Sequence, residues 1–313
     1  MGAKKQQLLY GVTTAMVTLL DNADRIDIAA TRRFTEFLIE KGVHCLYPLG
    51  TTGEMFRLST SERKNVAETV IQQTHGRVPV YIHVGAMSQT DVFELAAHAV
   101  KTGADGIGVV TPAYFPATPQ EITEFYNALL ASLPQNYPVY LYNIPQLTAN
   151  DLPAAIVADL ADRWPNIVGI KYSWPDFRRT AEYTRVRNGN FSVMHGSDAL
   201  LPAIMSLGCD GTISGVSSAY PEPFIAMYDE IVQNDWSTAL FHQHFADDYA
   251  NILKNGRNMA YFKAALQYRG IIDDYRMRTP QLSLTQSETD ALYAQLKEID
   301  ARYAEKKRCA GLV

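Results

Sequence analysis

The sequence predicts a (β/α)₈ barrel, because short apolar runs alternate with amphipathic segments, the runs number eight, and no glycine-rich phosphate loop follows the first of them. Alternation of this kind needs parallel strands joined by helical crossovers. The expected strands are Tyr10 to Thr14, Val43 to Leu49, Val78 to Val84, Gly106 to Val110, Val139 to Asn143, Ile167 to Lys171, Phe191 to His195 and Gly211 to Gly215. A doubly wound open sheet shows the same alternation but usually carries a glycine-rich turn after its first strand. Tyr10-Gly11-Val12-Thr13-Thr14 has none, and no Gly-Lys-Ser/Thr loop occurs anywhere.

The segments between the runs carry helix start and stop chemistry. Ser59 with Glu62 and Ser88 with Asp91 have capping-box spacing, and Thr118-Pro119-Gln120-Glu121 puts proline at the first helical position. Gly42, Gly76, Gly103 and Gly208 stand where a left-handed residue ends a helix. Residues 1–222 are expected to form the barrel. Residues 223–313 are expected to supply its last helix and a helical extension packed on it as one structural unit, with a capped helix opening at Thr285 and Glu288.

Composition narrows the function. The 313 residues are 47% hydrophobic, and 28 Lys+Arg against 33 Asp+Glu leave a net charge of -5, which argues against nucleic acid as a partner. Cys45, Cys209 and Cys309 are odd in number and widely spaced, as in a protein of the reducing cytoplasm. Met1 to Tyr10 hold no apolar core of signal-peptide length, and no uninterrupted apolar stretch suits a membrane span.

In a barrel the chemistry sits at the C-terminal strand ends. The second strand runs into Gly50-Thr51-Thr52-Gly53-Glu54, where two glycines bracket two hydroxyls and expose backbone N–H groups. Such a loop suits a carboxylate, although it also suits an ordinary turn. Lys171 closes the apolar run Ile167-Val168-Gly169-Ile170. Desolvation favours the neutral, nucleophilic amine, so a Schiff-base lysine is one reading and a rim lysine snorkelling to water is the other. Tyr142 ends the fifth strand, where a phenol can pass protons or simply pack. Thr111-Pro112-Ala113-Tyr114 forms a rigid aromatic loop after the fourth strand, and Asp198 is either a site residue or a helix cap.

In this order and spacing, Gly50 to Glu54, Thr111-Pro112 before Tyr114, Tyr142-Asn143-Ile144-Pro145 and Gly169-Ile170-Lys171 resemble the N-acetylneuraminate lyase and dihydrodipicolinate synthase family. The resemblance covers nearly the whole chain. It implies that Lys171 forms a Schiff base with pyruvate, that Thr51 and Thr52 hold the carboxylate, and that Tyr142 is the general acid/base. It further implies that Thr51 links Tyr142 to Tyr114, that Tyr114 is lent by a neighbouring subunit of a homotetramer of paired dimers, and that neither cofactor nor metal is needed. Gly50, Gly196 and Ile213 are expected to border the substrate.

The branch is set by the second substrate. Where the synthases carry an arginine after the Tyr-Asn motif, this chain has Leu147, which removes a charge-assisted carboxylate site. Lys171-Tyr172-Ser173, Gln146 and Asp198 resemble the sialic acid lyases, with Ser173 and Asp198 implied to contact the sugar. Ala199 replaces a glutamate of that pattern and Gly215 stands near a substrate-binding serine, so a shorter polyol such as a 2-keto-3-deoxy sugar acid is expected alongside sialic acid. Trp174 either narrows this pocket or packs. Alternatives within the family are the synthase condensation or a dehydration. Outside it stand a metal-dependent aldolase using His83 and His195, a pyridoxal phosphate enzyme, and a sensor barrel that binds a 2-oxo acid without turnover.

Overall fold

The computed structural model describes residues 8–312, so the expectation for Met1 to Tyr10 falls mostly outside the described residues. Eight parallel strands are present among them: β1 (Gly11–Ala15), β2 (Cys45–Tyr47), β3 (Tyr81–His83), β4 (Gly106–Val110), β5 (Val139–Asn143), β6 (Ile167–Tyr172), β7 (Ser192–His195) and β8 (Gly211–Ser214). They neighbour one another in the order β2-β1-β8-β7-β6-β5-β4-β3. The ring is completed by a bridge between Leu46 and Val80, with Leu46 N–H donating to Pro79 O at 2.9 Å and His83 N–H to Pro48 O at 3.2 Å.

β2 and β3 are shorter than the apolar runs that announce them. Pro48 and Pro79 lie within those runs and cannot donate to a ladder, so regular pairing stops beside them.

Among the described residues twelve α-helices surround and follow the strands: α1 (Ile28–Glu40), α2 (Thr60–Thr74), α3 (Gln89–Thr102), α4 (Pro119–Ala131), α5 (Pro145–Thr148), α6 (Ala154–Arg163), α7 (Phe177–Tyr183), α8 (Leu201–Ser206), α9 (Glu222–Val232), α10 (Trp236–Ile252), α11 (Met259–Tyr268) and α12 (Gln286–Cys309). Ser59, Thr118 and Thr285 each form a reciprocal capping box with the glutamate three residues on. Ser88 accepts from Asp91 N–H with no reciprocal bond, since the aspartate side chain is one methylene shorter. Gly42, Gly76, Gly103 and Gly208 all have positive φ at or just after a helix end.

Two apolar layers hold the assembly. Inside the ring, Tyr47, Tyr81, Tyr140, Met194 and Ile213 pack together, while between ring and helices lies a larger cluster that includes Phe34, Leu129, Leu160 and Phe224. Leu292, Leu296 and Ile299 bury one face of α12. Among the described residues no helix is long and apolar enough to cross a membrane.

Candidate active site

Lys171 and Tyr142 are register partners on β6 and β5. Their side chains therefore leave neighbouring strands on the same face. Lys171 is 4% exposed, which removes the snorkelling alternative, and its Nζ lies over the rings of Tyr142 and Tyr47 at 4.3 and 4.9 Å from their centroids. No ion pair or hydrogen bond engages this amine among the described residues. An amine that lies over two rings and forms no ion pair is available for bond formation.

The Tyr142 phenol meets two hydroxyls, Thr51 Oγ1 at 3.5 Å and Ser173 Oγ at 3.4 Å. These groups border a cavity of about 340 Å³ that is also lined by Thr52, Gln146, Trp174, Gly196, Ile213 and Gly215. Gln146, on the short helix α5, donates from Nε2 to Ser173 O at 2.8 Å and so ties the ends of β5 and β6 together. Gly196 is backed by Ser173, since a Cβ there would lie 2.0 Å from its hydroxyl.

Asp198 brings the one carboxylate in the cavity lining. It sits in a short 3₁₀ turn after β7 and caps nothing; instead Oδ2 accepts from Val216 N–H at 3.4 Å while Oδ1 is buried without a partner. Burial pushes its pKa up to about 6, against the opposing pull of the Ser214 hydroxyl, Val216 N–H and Lys171. Asp198 thus lines the cavity with a carboxyl whose hydrogen-bonding capacity is only partly used.

Gly50, Leu147 and Tyr114 are not among the residues that line this cavity within the chain. Gly50 contributes its carbonyl to Met55 N–H and is absent from the cavity lining. Leu147 borders a neighbouring groove of about 350 Å³ with Thr51, Met55 and Phe56. Tyr114 is 71% exposed, stacks edge-on against Phe115, and reaches neither Thr51 nor Tyr142 within the chain. Its backbone is held left-handed (φ 78) by its own N–H on Thr148 O, while Asn150 clamps Pro112 O, Phe115 O and Ala117 N–H.

His83 and His195 are both buried on separate strands. Burial, with Arg63 and Lys171 nearby, drives His83 well below its ordinary value, and burial lowers His195 to about 4. Among the described residues no group of three or more His, Cys, Asp or Glu side chains is placed to hold a metal ion.

Sequence reasoning did not find Asn255, Gly256, Met259 and Phe262, which come from the segment after the barrel and line the same cavity. Only the run of positive φ from Lys254 to Gly256 marks them, and that is a property of the fold.

The model of the dihydrodipicolinate synthetase family matches residues 8–299. The chain belongs to that family. It is an enzyme, a Schiff-base-forming carbon–carbon lyase of the class I aldolase kind, whose family substrates are pyruvate and an aldehyde. An uncharacterized DapA-like lyase of Halobacterium salinarum is 34% identical over 291 residues, covering 93% of this chain and 94% of the relative. A probable 2-dehydro-3-deoxy-D-pentonate aldolase of Escherichia coli is 37% identical over 217 residues, covering 68% of this chain and 71% of the relative. Among solved structures, the Escherichia coli prophage protein YagE in complex with pyruvate superposes with a TM-score of 0.88 at 27% identity, covering 94% of this lyase and 99% of that chain.

Proposed function

We propose that this lyase reversibly cleaves a 2-keto-3-deoxy sugar acid, or a closely similar 4-hydroxy-2-oxo acid, to pyruvate and a hydroxylated aldehyde. The observation that carries the reading is the cavity's ionic content. Among the described residues that line it, Lys171 is the one amine and Asp198 the one carboxylate, and the remaining polar groups are neutral. Once Lys171 is spent on the imine and the Thr51–Thr52 loop on the keto-acid carboxylate, no cation is left for a second acidic group. Leu147, where a synthase would need arginine, agrees with this. The cavity, about 340 Å³, is near the lower end of the ~300–1,000 Å³ typical of small-molecule sites, which favours a short polyol over a nine-carbon sugar. The likeness to a probable 2-dehydro-3-deoxy-D-pentonate aldolase points the same way.

In this mechanism the Lys171 amine adds to the C2 ketone, and Tyr142 gives its phenolic proton to the departing hydroxyl, so that water leaves and an iminium stands beside a Tyr142 phenolate. Tyr142 takes the proton of the C4 hydroxyl, the C3–C4 bond breaks, and its electrons move into the iminium to leave an enamine and a free aldehyde. Tyr142 returns that proton to C3, and water hydrolyses the iminium to release pyruvate and the Lys171 amine, the proton set free in hydrolysis going back to the Tyr142 phenolate. Ser173 and Asp198 hold the polyol hydroxyls, with Gly196 and Ile213 shaping the space around them.

A second copy of the chain completes the site by lending Tyr114, within a homotetramer of paired dimers. The rigid, exposed Tyr114–Phe115 spur and the open groove beside Thr51 support this assignment. Residues 1–222 and 223–313 act as one unit, because the cavity draws on both. The unpaired Cys45, Cys209 and Cys309 fit a cytoplasmic setting.

Borohydride reduction in the presence of pyruvate tests the reading. The expected result is a single pyruvate-derived adduct on the peptide carrying Lys171, absent from Lys171→Ala, together with pyruvate release from 2-keto-3-deoxy acids. Adduct formation at another lysine, or none at all, would reject it.

A further inference from the structure

The loop that carries Thr51 and Thr52 is held in a conformation its sequence does not favour. Leu49 (φ 66) precedes it and Glu54 (φ 57) ends it, both left-handed without being glycine. Residues of that kind persist only where surrounding groups over-determine them. Several do so here. Thr18 Oγ1 donates to Gly53 O at 2.8 Å, His83 Nδ1 meets Leu49 O at 3.2 Å, and Gly53 sits so close that a Cβ would lie 2.9 Å from Leu49 N and 3.1 Å from Met16 O.

The remaining restraint comes from outside the barrel. Lys263, on α11, places its Nζ 2.7 Å from Glu54 Oε2, and the two side chains are 1% and 5% exposed. Arg57 holds the other carboxylate oxygen at 3.3 Å. Burial pushes the Lys263 ammonium down while Glu54 beside it opposes that. A buried ion pair is seldom more stabilising than well-packed apolar residues of the same volume, so stability alone does not account for it. What it supplies is a fixed position for Glu54, and with it the left-handed end of the loop. The neighbouring residue Phe262 lines the cavity, and a Cβ placed on Gly215 would touch both the Phe262 ring, at 3.5 Å, and Thr52 Oγ1, at 3.2 Å.

We infer that Lys263 is a positioning residue for the keto-acid carboxylate: through Glu54 it sets the Thr51 and Thr52 hydroxyls and N–H groups at the distance the Schiff base requires. This rests on reading the loop as the carboxylate site. It makes α11, a helix beyond the eight βα units, part of the binding machinery rather than a surface cover.

The test compares two ketones as probes for borohydride trapping on Lys171: pyruvate, and hydroxyacetone, which lacks the carboxylate. In Lys263→Met the half-saturating pyruvate concentration should rise by at least about tenfold while that of hydroxyacetone stays within about twofold. Lys263→Arg should recover part of the loss. If Lys263→Met does not fold, the double variant Glu54→Met/Lys263→Met replaces the pair by apolar volume and should show the same selective loss. A folded variant with unchanged pyruvate trapping, or with equal losses for both ketones, overturns the inference. Wild-type protein that traps no pyruvate would overturn the functional reading itself, so the two failures are distinguishable.

Discussion

The Ser173 hydroxyl lies 3.4 Å from the Tyr142 phenol, the same oxygen that Thr51 Oγ1 approaches at 3.5 Å. Ser173 donates to this phenol, Thr51 and the phenol can each donate to the other, and the ring stands beside Lys171. Removing the phenolic oxygen should therefore separate binding from chemistry. Tyr142→Phe is expected to lower kcat by about 10²–10⁴-fold while pyruvate labelling of Lys171 persists. Steady-state turnover measured alongside borohydride labelling checks this, and a variant as fast as wild type would remove Tyr142 from proton transfer.

Gly196 should prove to be a selectivity position. A methyl group there collides with the Ser173 hydroxyl, at 2.0 Å, and with its Cβ, at 2.9 Å, so Ser173 must turn away from the cavity. Gly196→Ala is expected to cut kcat/KM for the polyol substrate by about 10–100-fold and to leave pyruvate labelling intact. Kinetics matching those of Ser173→Ala would confirm that the effect passes through this hydroxyl; weakened pyruvate labelling would contradict it.

The Asp198 carboxyl titrates at about 6, above its ordinary value of 3.8, because it is buried. In its ionised form it accepts hydroxyl hydrogen bonds more strongly, so kcat/KM for a polyol substrate should climb through an inflection near that pH. For stability the sign is opposite. The unfolded chain ionises this group first, so folded-state stability falls as pH rises from 3.8 to about 6. Asp198→Asn should lose the kinetic inflection and melt at a higher temperature than wild type at neutral pH. Profiles that superpose, or a lower Tm, would speak against the assignment.

Subunit exchange tests the role of Tyr114. Its ring reaches no catalytic group of its own chain, whereas Lys171 belongs wholly to its own chain. Tyr114→Phe and Lys171→Ala proteins, each weakly active or inactive, should regain activity when mixed under exchanging conditions, because one mixed site joins an intact Lys171 to an intact Tyr114. Mixtures no more active than the sum of their parts would place both roles within one chain.

Much of this protein was legible in one dimension. Strand number, the helix caps at Ser59, Thr118 and Thr285, the Gly50 to Glu54 turn and a lysine ending an apolar strand are all local patterns, written by steric preference and hydrophobic periodicity within a few residues. The apolar runs overstated β2 and β3, which stop short beside Pro48 and Pro79. Strand-end polarity then narrowed the candidates to Lys171, Tyr142, Thr51 and Asp198, and the family resemblance added Ser173; all five line one cavity.

Tertiary structure alone decided the rest, because contacts between distant segments leave no periodic trace. The Lys263–Glu54 pair joins residues on opposite sides of the barrel sequence, and Asn255, Met259 and Phe262 reach the cavity only because α11 folds back over its mouth. Asp198 likewise lines a carboxylate-poor pocket instead of capping a helix, and the Thr148 and Asn150 contacts hold the exposed Tyr114 loop. Local chemistry thus chose the reacting groups, and long-range packing fixed their distances, their ionisation and the shape of the space between them.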